Sequence, residues 1–464
     1  MSIKRRNYVP IAALAIAGLA LTACSSGGDS DSSASDSGST AAEDTEVMEG
    51  CEEYADFGTF DGATVDLEGT IVGIEAEQMQ ETFEKFNECT GIDVVYTGND
   101  QFETTILVDV EGGNPPDLGI VPQPGLVATL VGTGNVVAAP QAVSDNVDEF
   151  WSEDWKAYGT VGQTFYGAPL MASVKGYIWY SPSEFEENGY EIPTTWDELM
   201  ELTATMAENG GSGPDYKPWC IGFESGVATG WPGTDWIEDI VLRESGADAY
   251  DQWTTGDLDF ASDEIKSAFE KFGEVALNGD YVNGGHGGVS SIATTSFQEG
   301  GLPIMEGSCS LHHQASFYEA QWPEDYPDAV VAPDGDVWAF MTPPINEGDP
   351  AAVTGGGEFV LAFSDAPEVQ AVQDFMSTDT WANIRVGLGG VISANKGLDA
   401  SLASSELGQQ SIEILQGEDT VFRFDGSDVM PSAVGASAFW VEITEYVNGK
   451  DLDTVLADID AAWP

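Results

Sequence analysis

Basic residues are scarce in this chain. Its 464 residues include 14 Lys and Arg against 80 Asp and Glu, which gives a formal net charge of −66 at pH 7. Nucleic acids and anionic membrane surfaces would repel such a chain, so no nucleic-acid partner is predicted. The acidic excess is typical of a solvated surface or of a salty habitat, and it does not indicate an activity.

Motifs that carry chemistry are scarce as well. Only three His are present, and the adjacent His312 and His313 would point in different directions on any regular element. The sequence has no Cys/His spacing of a zinc site, no GxSxG or HExxH motif, no EF-hand loop and no phosphate-binding P-loop. We therefore predict no metal site and no cofactor.

An apolar run near the N-terminus ends at one cysteine. Three basic residues at 4–6 precede an apolar run over 8–21 that is short for a membrane span, which is the layout of a cleaved export signal. The string LTAC resembles a bacterial lipobox, which would make Cys24 the lipidated first residue of the mature protein. The alternative is an ordinary signal cleaved near Ala23. The export route, general or twin-arginine, stays open.

The residues after this cysteine have almost nothing to bury. Positions 24–50 are mostly Ser, Gly, Asp and Glu, a composition typical of a disordered tether. Four further cysteines allow three pairings in an exported protein. We favour the pairs nearest in sequence, Cys51 with Cys89 and Cys220 with Cys309.

Strands alternate with helices in the part of the chain that follows. The patterns predict strands at 70–74, 92–96 and 117–121 and helices at 78–87, 102–111, 196–209 and 261–277. Such alternation predicts an α/β fold with a mostly parallel sheet. Ligands bind beyond the carboxyl ends of such strands. The side chains that follow the three strands are Glu75, Glu77, Gln78, Asp100 and Gln123.

Several segments resemble one known family. The segments 83–96, 112–140, 166–200, 231–250, 305–311, 354–363 and 422–431 resemble, in order, the extracellular sugar-binding proteins of bacterial ABC importers. These are the maltose- and multiple-sugar-binding group of family 1 solute-binding proteins. The strings WPGTDW and FRFDGSDVMP are most similar to the α-glucoside branch. The resemblance covers nearly all of residues 68–464.

The resemblance implies a two-lobed periplasmic-binding-protein fold, type II-like. Each lobe would be a mostly parallel sheet with flanking helices, and a multi-strand hinge would join the lobes. The chain would cross between lobes near 168–176, 337–344 and 389–394. The expected regions are a signal peptide at 1–23, a tether at 24–50, an N-terminal lobe at 51–168 with 344–392, and a C-terminal lobe at 169–343 with 393–464.

The function that the resemblance implies is capture of an α-glucoside-type di- or oligosaccharide in the cleft between lobes. The protein would deliver this sugar to the membrane subunits of an ABC permease, as a monomer that a lipid on Cys24 anchors to the outer face of the cytoplasmic membrane. An exported glycoside hydrolase, which needs two carboxylates across the scissile bond, and a surface adhesin are the alternatives. Because the resemblance covers the chain and leaves no unmatched catalytic domain, it implies a protein without catalytic residues, and we expect that the protein is not an enzyme.

Sugar recognition needs aromatic platforms together with carboxylates, amides and arginines. Trp231 and Trp236 flank a polar stretch that we expect to be a turn, with Asp235 as a hydroxyl acceptor or as a helix N-cap. Arg423 would clamp hydroxyls or form an internal ion pair, and Asp425 lies close to it in sequence.

A glycine run supplies the last candidates. Gly356 and Gly357 would let backbone amides approach the ligand beside Glu358, since glycine has no side chain to obstruct it. The alternative is a bend before a strand at 359–363.

Overall fold

The structure, a computed structural model, describes residues 48–417 and 420–464. The predicted signal peptide, Cys24 and nearly all of the predicted tether lie outside these residues. No helix of the described part is long and apolar enough to cross a membrane.

Strands and helices alternate over most of the described chain. The strands are β1 Ala63–Gly69, β2 Ile92–Gly98, β3 Leu118–Val121, β4 Thr160–Val161, β5 Thr164–Phe165, β6 Ala168–Val174, β7 Tyr177–Tyr180, β8 Leu311–Gln314, β9 Trp338–Met341, β10 Ala352–Ala362 and β11 Val421–Phe424. The α-helices are α1 Ile74–Glu81, α2 Glu84–Thr90, α3 Phe102–Gly112, α4 Pro124–Gly132, α5 Gln141–Phe150, α6 Glu153–Tyr158, α7 Pro182–Asn188, α8 Trp196–Asn209, α9 Trp231–Thr254, α10 Asp263–Ala276, α11 Gln321–Asp325, α12 Pro367–Met376, α13 Asp379–Gly387, α14 Glu406–Gln416, α15 Gly426–Val429, α16 Trp440–Val447 and α17 Leu452–Asp460.

One six-stranded sheet organises the first part of the molecule. Its strands follow the order β11-β10-β3-β1-β2, and β6 also pairs with β10. The β1–β2, β1–β3 and β10–β11 pairs are parallel, whereas β10 runs antiparallel to β3 and β6. The predicted parallel sheet is therefore present, with β10 as a long strand that returns through it.

The second sheet differs from the prediction in its strand direction. It has the order β8-β7-β9, and both of its ladders are antiparallel. The parallel pairs in the described part of this region are isolated bridges: Trp219 with Val282 and with Leu311, Glu224 with Ser296, and Val331 with Val337. The expectation of a mostly parallel sheet in each lobe is wrong here. β7 follows β6 after only Lys175 and Gly176, but it pairs with β8 and β9 and not with β6.

The buried apolar side chains form two separate hydrophobic cores. The first core contains Val65, Leu67, Ile120, Phe359 and their neighbours, and helices such as α3 and α12 cover the large sheet there. The second core contains Trp179, Trp219, Trp236, Phe272 and most of the side chains buried by α8, α9 and α10. A molecule with two cores is a molecule with two lobes.

The predicted elements agree with the structure except at the first strand and at the helix that follows it. We expected a strand at 70–74, but β1 occupies Ala63–Gly69, where Val65, Leu67 and Gly69 are buried and the residues between them are not. Gly73 has a positive φ of 66°, which ends any extended run before α1. The helix expected at 78–87 is split into α1 and α2.

Both favoured disulfides are present. Cys51 pairs with Cys89 and Cys220 pairs with Cys309, at Cα–Cα distances of 5.5 and 5.9 Å. Cys220 and Cys309 both belong to the second core. Cys89 packs against the first core, beside the segment that carries Cys51. Each disulfide therefore cross-links one lobe internally, and neither of them connects the two lobes.

Candidate functional site

The two cores meet where β6 and β10 pass from one to the other. On β6, Ala172 belongs to the first core and Val174 to the second. On β10, Val353 belongs to the second core and Phe359 to the first. The two strands pair antiparallel across this point, with Gly356 opposite Ser173. Polar groups at this junction can contact both lobes at once.

The glycine run lies within β10, so it is neither a loop nor a bend before a strand. A β-bulge separates Gly357 from Phe359. A Cβ on Gly357 would come within 2.5 Å of the Met171 carbonyl oxygen and 2.9 Å of the Trp155 ring. Gly357 is therefore required by packing. A Cβ on Gly356 would instead lie 3.5 Å from Cε of Lys175, so this glycine borders the charged group described next.

Lys175 is the centre of a buried ionic group at the junction. Its Nζ lies 2.8 Å from both carboxylate oxygens of Asp235 and 2.8 Å from Oδ2 of Asp425. Asp235 and Asp425 are each only 2% exposed, and Lys175 is 8% exposed. The Lys175 amide donates to the Thr354 carbonyl of β10. One ammonium thus connects helix α9, the end of β11 and the strands at the junction.

More carboxyl groups surround this lysine than it can neutralise. Glu238, one turn after Asp235 on α9, is fully buried, and its Oε2 has no hydrogen-bond partner. Burial raises the pKa of Glu238 and of Asp428, and the nearby Asp425 charge raises both further. Burial would raise the pKa of Asp425 too, but the Lys175 charge and hydrogen bonds with Glu238, Lys175 and Asp235 together lower that pKa. The group can therefore both accept hydrogen bonds and donate them.

Oxygen atoms of Asp235, Glu238 and Asp425 lie within 4.8 Å of one another, which is compatible with a metal ion. The Lys175 ammonium already contacts two of these three carboxylates. It provides the positive charge that a cation would otherwise supply, so we do not assign a metal to these residues.

Trp231 supplies the aromatic face of the site. The Lys175 ammonium lies 4.8 Å from the centroid of its ring, a cation–π distance. Phe297 and Phe317 pack around the same ring at 5.1 and 5.9 Å. The stretch between the two tryptophans is the first turn of α9, so the expected polar turn is wrong. Asp235 lies inside this helix and is not its N-cap.

Trp236 belongs to the second core and not to the group of residues around Lys175. It is 2% exposed, and its ring packs against Trp219 at 5.1 Å and His313 at 4.3 Å. On a helix, positions 231 and 236 point about 140° apart, so only one of the two can face the junction.

A second ionic network connects α9 to β10 and β8. Arg243 donates to Asp239 Oδ1 at 2.5 Å, and the Thr354 hydroxyl and His313 also contact Asp239. Burial alone would raise the pKa of Asp239, but Arg243 and His313 lower it to about 2. His312 points elsewhere, to the Cys220 carbonyl. As predicted, the two adjacent histidines have different environments.

Three other predicted residues lie together beyond the carboxyl ends of the parallel strands of the six-stranded sheet. Glu75 and Gln78 lie on α1, and Glu358 follows the glycine run of β10. Gln78 Nε2 donates to the Leu388 carbonyl at 2.9 Å, and its Oε1 is buried without a partner. Burial raises the pKa of Glu358 to about 7, and the charge of Glu75 contributes to the rise.

Four further predicted residues lie outside both the Lys175 group and the set formed by Glu75, Gln78 and Glu358. Glu77 and Asp100 are exposed. Gln123 is buried before α4, where its amide donates to Glu103 at 3.2 Å. Arg423 forms a two-point ion pair with Asp251, at 2.5 and 2.9 Å, so of our two interpretations the internal ion pair is the observed one.

Three central residues were missed by sequence reasoning. Lys175 is a lone cation directly after a buried apolar strand, which was a usable signal in a chain so poor in basic residues. Glu238 follows Asp235 by three positions, so the two share a helix face. Arg385 lies in a segment whose sequence gave no indication of a site, and only the fold brings it beside Glu75 and Glu358.

Comparison with known proteins identifies relatives over most of the chain. Residues 73–379 match the family described as bacterial extracellular solute-binding protein. The osmoprotective compounds-binding protein GgtB of Synechocystis sp. is 36% identical over 90% of this chain and 96% of its own length. The alpha-glucosides-binding periplasmic protein AglE of Rhizobium meliloti is 35% identical over 87% of both chains.

A solved structure shares the fold at much lower identity. A chitin oligosaccharide binding protein superposes with a TM-score of 0.70 and 16% identity, over 87% of this chain and 98% of its own. This similarity confirms the two-lobed fold.

Proposed function

Because the chain belongs to the family of bacterial extracellular solute-binding proteins, we propose that it captures an α-glucoside-type di- or oligosaccharide between its lobes and delivers it to an ABC permease. The observation that carries this proposal is the Lys175–Asp235–Asp425 group beside the face of Trp231, at the junction of the two cores. A pyranose offers apolar C–H faces to an aromatic ring and hydroxyls to charged groups.

The relatives support the same class of ligand. AglE is named for binding α-glucosides and GgtB for binding osmoprotective compounds. Both alignments include the segment that carries Trp231 and Asp235, because each covers at least 87% of this chain and this segment lies in its middle. The lobe boundaries at 168–176, 337–344 and 389–394 remain our proposal. The change of core between Ala172 and Val174 supports the first of them, whereas the next change of core lies between Val353 and Phe359 on β10, after the proposed 337–344.

The mechanism we infer is a population shift. Ligand contacts on both lobes favour the closed arrangement over the open one, and the permease recognises the closed arrangement. Family membership places the protein outside the cytoplasm. We propose that a lipid on Cys24 keeps it, as a monomer, beside the permease, and that it has no catalytic activity of its own.

Calorimetric titration with maltose, trehalose, sucrose and longer maltodextrins tests the proposal. We expect one sugar to bind tightly and with 1:1 stoichiometry. Trp231→Ala should weaken this binding at least about tenfold, because it removes the aromatic face. Trp463→Ala is the matched control, since Trp463 lies near the C-terminus beside Gly256.

Two outcomes would contradict the proposal. If the wild-type protein binds none of these sugars, an α-glucoside ligand is rejected. Release of monosaccharide from a bound disaccharide would favour the hydrolase instead, and chromatography of the titration mixture detects this.

A further inference from the structure

Arg385 has more hydrogen-bonding capacity than its surroundings use. It lies on α13, and its side chain is fully buried. Nη1 donates to the Gly389 carbonyl at 2.9 Å, but Nε and Nη2 are buried and have no partner within the described chain. An arginine stays charged in proteins, and a buried donor without an acceptor is unfavourable. This arrangement therefore points to an acceptor that the chain itself does not provide.

The two unused donors lie on one edge of the guanidinium. Arg423 shows what this edge binds, because its Nε and Nη2 contact the two oxygens of Asp251 at 2.5 and 2.9 Å. Such an edge matches two oxygen atoms held side by side. The Nε–Nη2 edge of Arg385 is thus shaped for a carboxylate or for the two oxygens of a vicinal diol.

The neighbouring charges decide between these two ligands. Glu75 and Glu358 are the carboxylates that act most strongly on the pKa of Arg385, which burial lowers and these charges raise. An anionic ligand would be repelled by both carboxylates. A neutral diol would not, and its hydroxyl hydrogens could be donated to Glu75, Glu358 or the unpaired Oε1 of Gln78.

The position of this group fits a ligand held at the edge of the first sheet. Glu75 and Gln78 begin α1 just beyond β1, and Glu358 lies on β10 where the two cores meet. Glu75 also experiences the charge of Glu324 on α11, an element of the second core. The group is therefore within electrostatic reach of the opposite lobe.

We propose that Arg385, with Glu75, Gln78 and Glu358, is a specificity-determining subsite that binds two adjacent hydroxyls of one pyranose ring. This inference rests on the proposed function. It adds a second set of residues that contact the sugar, separate from the Lys175 group. Arg385 donates to both hydroxyl oxygens, and the glutamates accept the hydroxyl hydrogens. Sugars that lack one hydroxyl of the pair are then rejected.

The test is a cycle between protein and ligand variants. Maltose, trehalose and their monodeoxy derivatives are titrated calorimetrically into wild-type protein and into Arg385→Lys. We expect removal of one hydroxyl to weaken wild-type binding about 10- to 100-fold, as for a hydrogen bond to a charged group. In Arg385→Lys, which keeps the charge but loses the two-donor edge, the same removal should change the affinity less than about threefold.

Arg243→Lys is the control. Its guanidinium is also buried, but its donors are occupied by the Thr342 carbonyl and Asp239. This variant should retain the full wild-type penalty for the missing hydroxyl, whatever its stability. If Arg385→Lys does not fold, the same titrations are made with Glu358→Gln. This substitution keeps the shape of the side chain and removes the negative charge of the hydrogen-bond acceptor.

Each outcome has one meaning. An equal deoxy penalty in wild type and in Arg385→Lys, or in Glu358→Gln where that variant stands in for it, would overturn the subsite and leave the proposed function intact. Failure of the wild-type protein to bind either parent sugar would overturn the α-glucoside function on which the inference rests. A penalty that disappears in Arg385→Lys but persists in Arg243→Lys would establish the subsite.

Discussion

At the scale of single residues, the ammonium of Lys175 is the group on which the junction depends. It is shared by two carboxylates that are each 2% exposed. Removing one partner of a buried ion pair leaves uncompensated charge, which is far more costly than loss of a surface pair.

We expect Lys175→Met to lower the free energy of unfolding at pH 7 by about 3–5 kcal/mol. The loss should shrink at acidic pH, where Asp425, whose pKa Lys175 helps to lower, can be protonated. Urea denaturation at both pH values measures it. Lys217→Met is the control, because Lys217 lies 3.9 Å from the exposed Asp280 and should cost no more than about 1 kcal/mol. Equal losses for both variants would contradict the assigned role of Lys175.

Glu358 gives stability a dependence on pH. Its pKa is about 7 in the folded protein, so the folded state holds a proton that the unfolded state releases near pH 4.3. The unfolding free energy should therefore fall as pH rises from about 4.5 to 7, by about 3 kcal/mol from this group.

Glu358→Gln should remove this part of the slope. Thermal or urea unfolding between pH 4.5 and 8 measures the difference between the two proteins. Glu81→Gln, at the exposed end of α1, serves as the control and should leave the slope as in wild type. A slope that persists in Glu358→Gln would show that other groups cause it.

At the scale of elements, β10 is the strand that both lobes share. Its 11 residues pair with β3, β6 and β11. The glycines allow this close pairing, because the Trp155 ring and the Met171 carbonyl occupy the space a Cβ would need at Gly357.

Gly357→Ala should therefore destabilise the protein by about 1–3 kcal/mol through overpacking. Gly112→Ala is a matched control at the end of α3, where nothing lies within 4 Å of the added Cβ. That substitution should be neutral or stabilise by up to about 1 kcal/mol. Chemical denaturation of both variants provides the comparison, and a neutral Gly357→Ala would refute the packing argument.

Most elements could be predicted because their local signals agree. Thr195 caps α8 by accepting from the Glu198 amide, and α10 buries Ile265, Phe269 and Phe272 on one face. The first strand was misplaced because the β-branched residues at 70–74 gave a stronger strand signal than the alternation of apolar and polar residues at 63–69. The direction of β7 could not be predicted, since strand direction depends on which partners a strand meets in the fold.

At the scale of the whole molecule, the candidate site was only partly predictable. Asp235, Asp425 and Trp231 are predicted residues that the structure brings together around Lys175, and the family resemblance gave the overall architecture. Their partner Lys175 is 60 residues from Asp235 and 250 from Asp425 in the chain. No local pattern encodes such pairings. Trp236 was assigned wrongly because a helix start was interpreted as a turn, which reverses the direction of one of two nearby side chains.

The charge of the whole chain also predicts how it responds to salt. A net charge of −66 destabilises a compact state through self-repulsion, and 1 M salt shortens the Debye length to about 3 Å. We expect the Tm to rise by several degrees between 0.05 and 1 M NaCl. Sucrose of matched water activity is the uncharged control. A Tm that is constant or falls with NaCl would show that repulsion among the acids is unimportant.

The order of the two disulfides has a consequence for biogenesis. An exported chain that emerges from the membrane with its N-terminus first presents Cys51, then Cys89, Cys220 and Cys309. Because each of these cysteines bonds to its neighbour in that order, the first bridge can close before a competing thiol has emerged. Among these four cysteines, oxidation in the order of emergence gives the native pairing without a later exchange of partners.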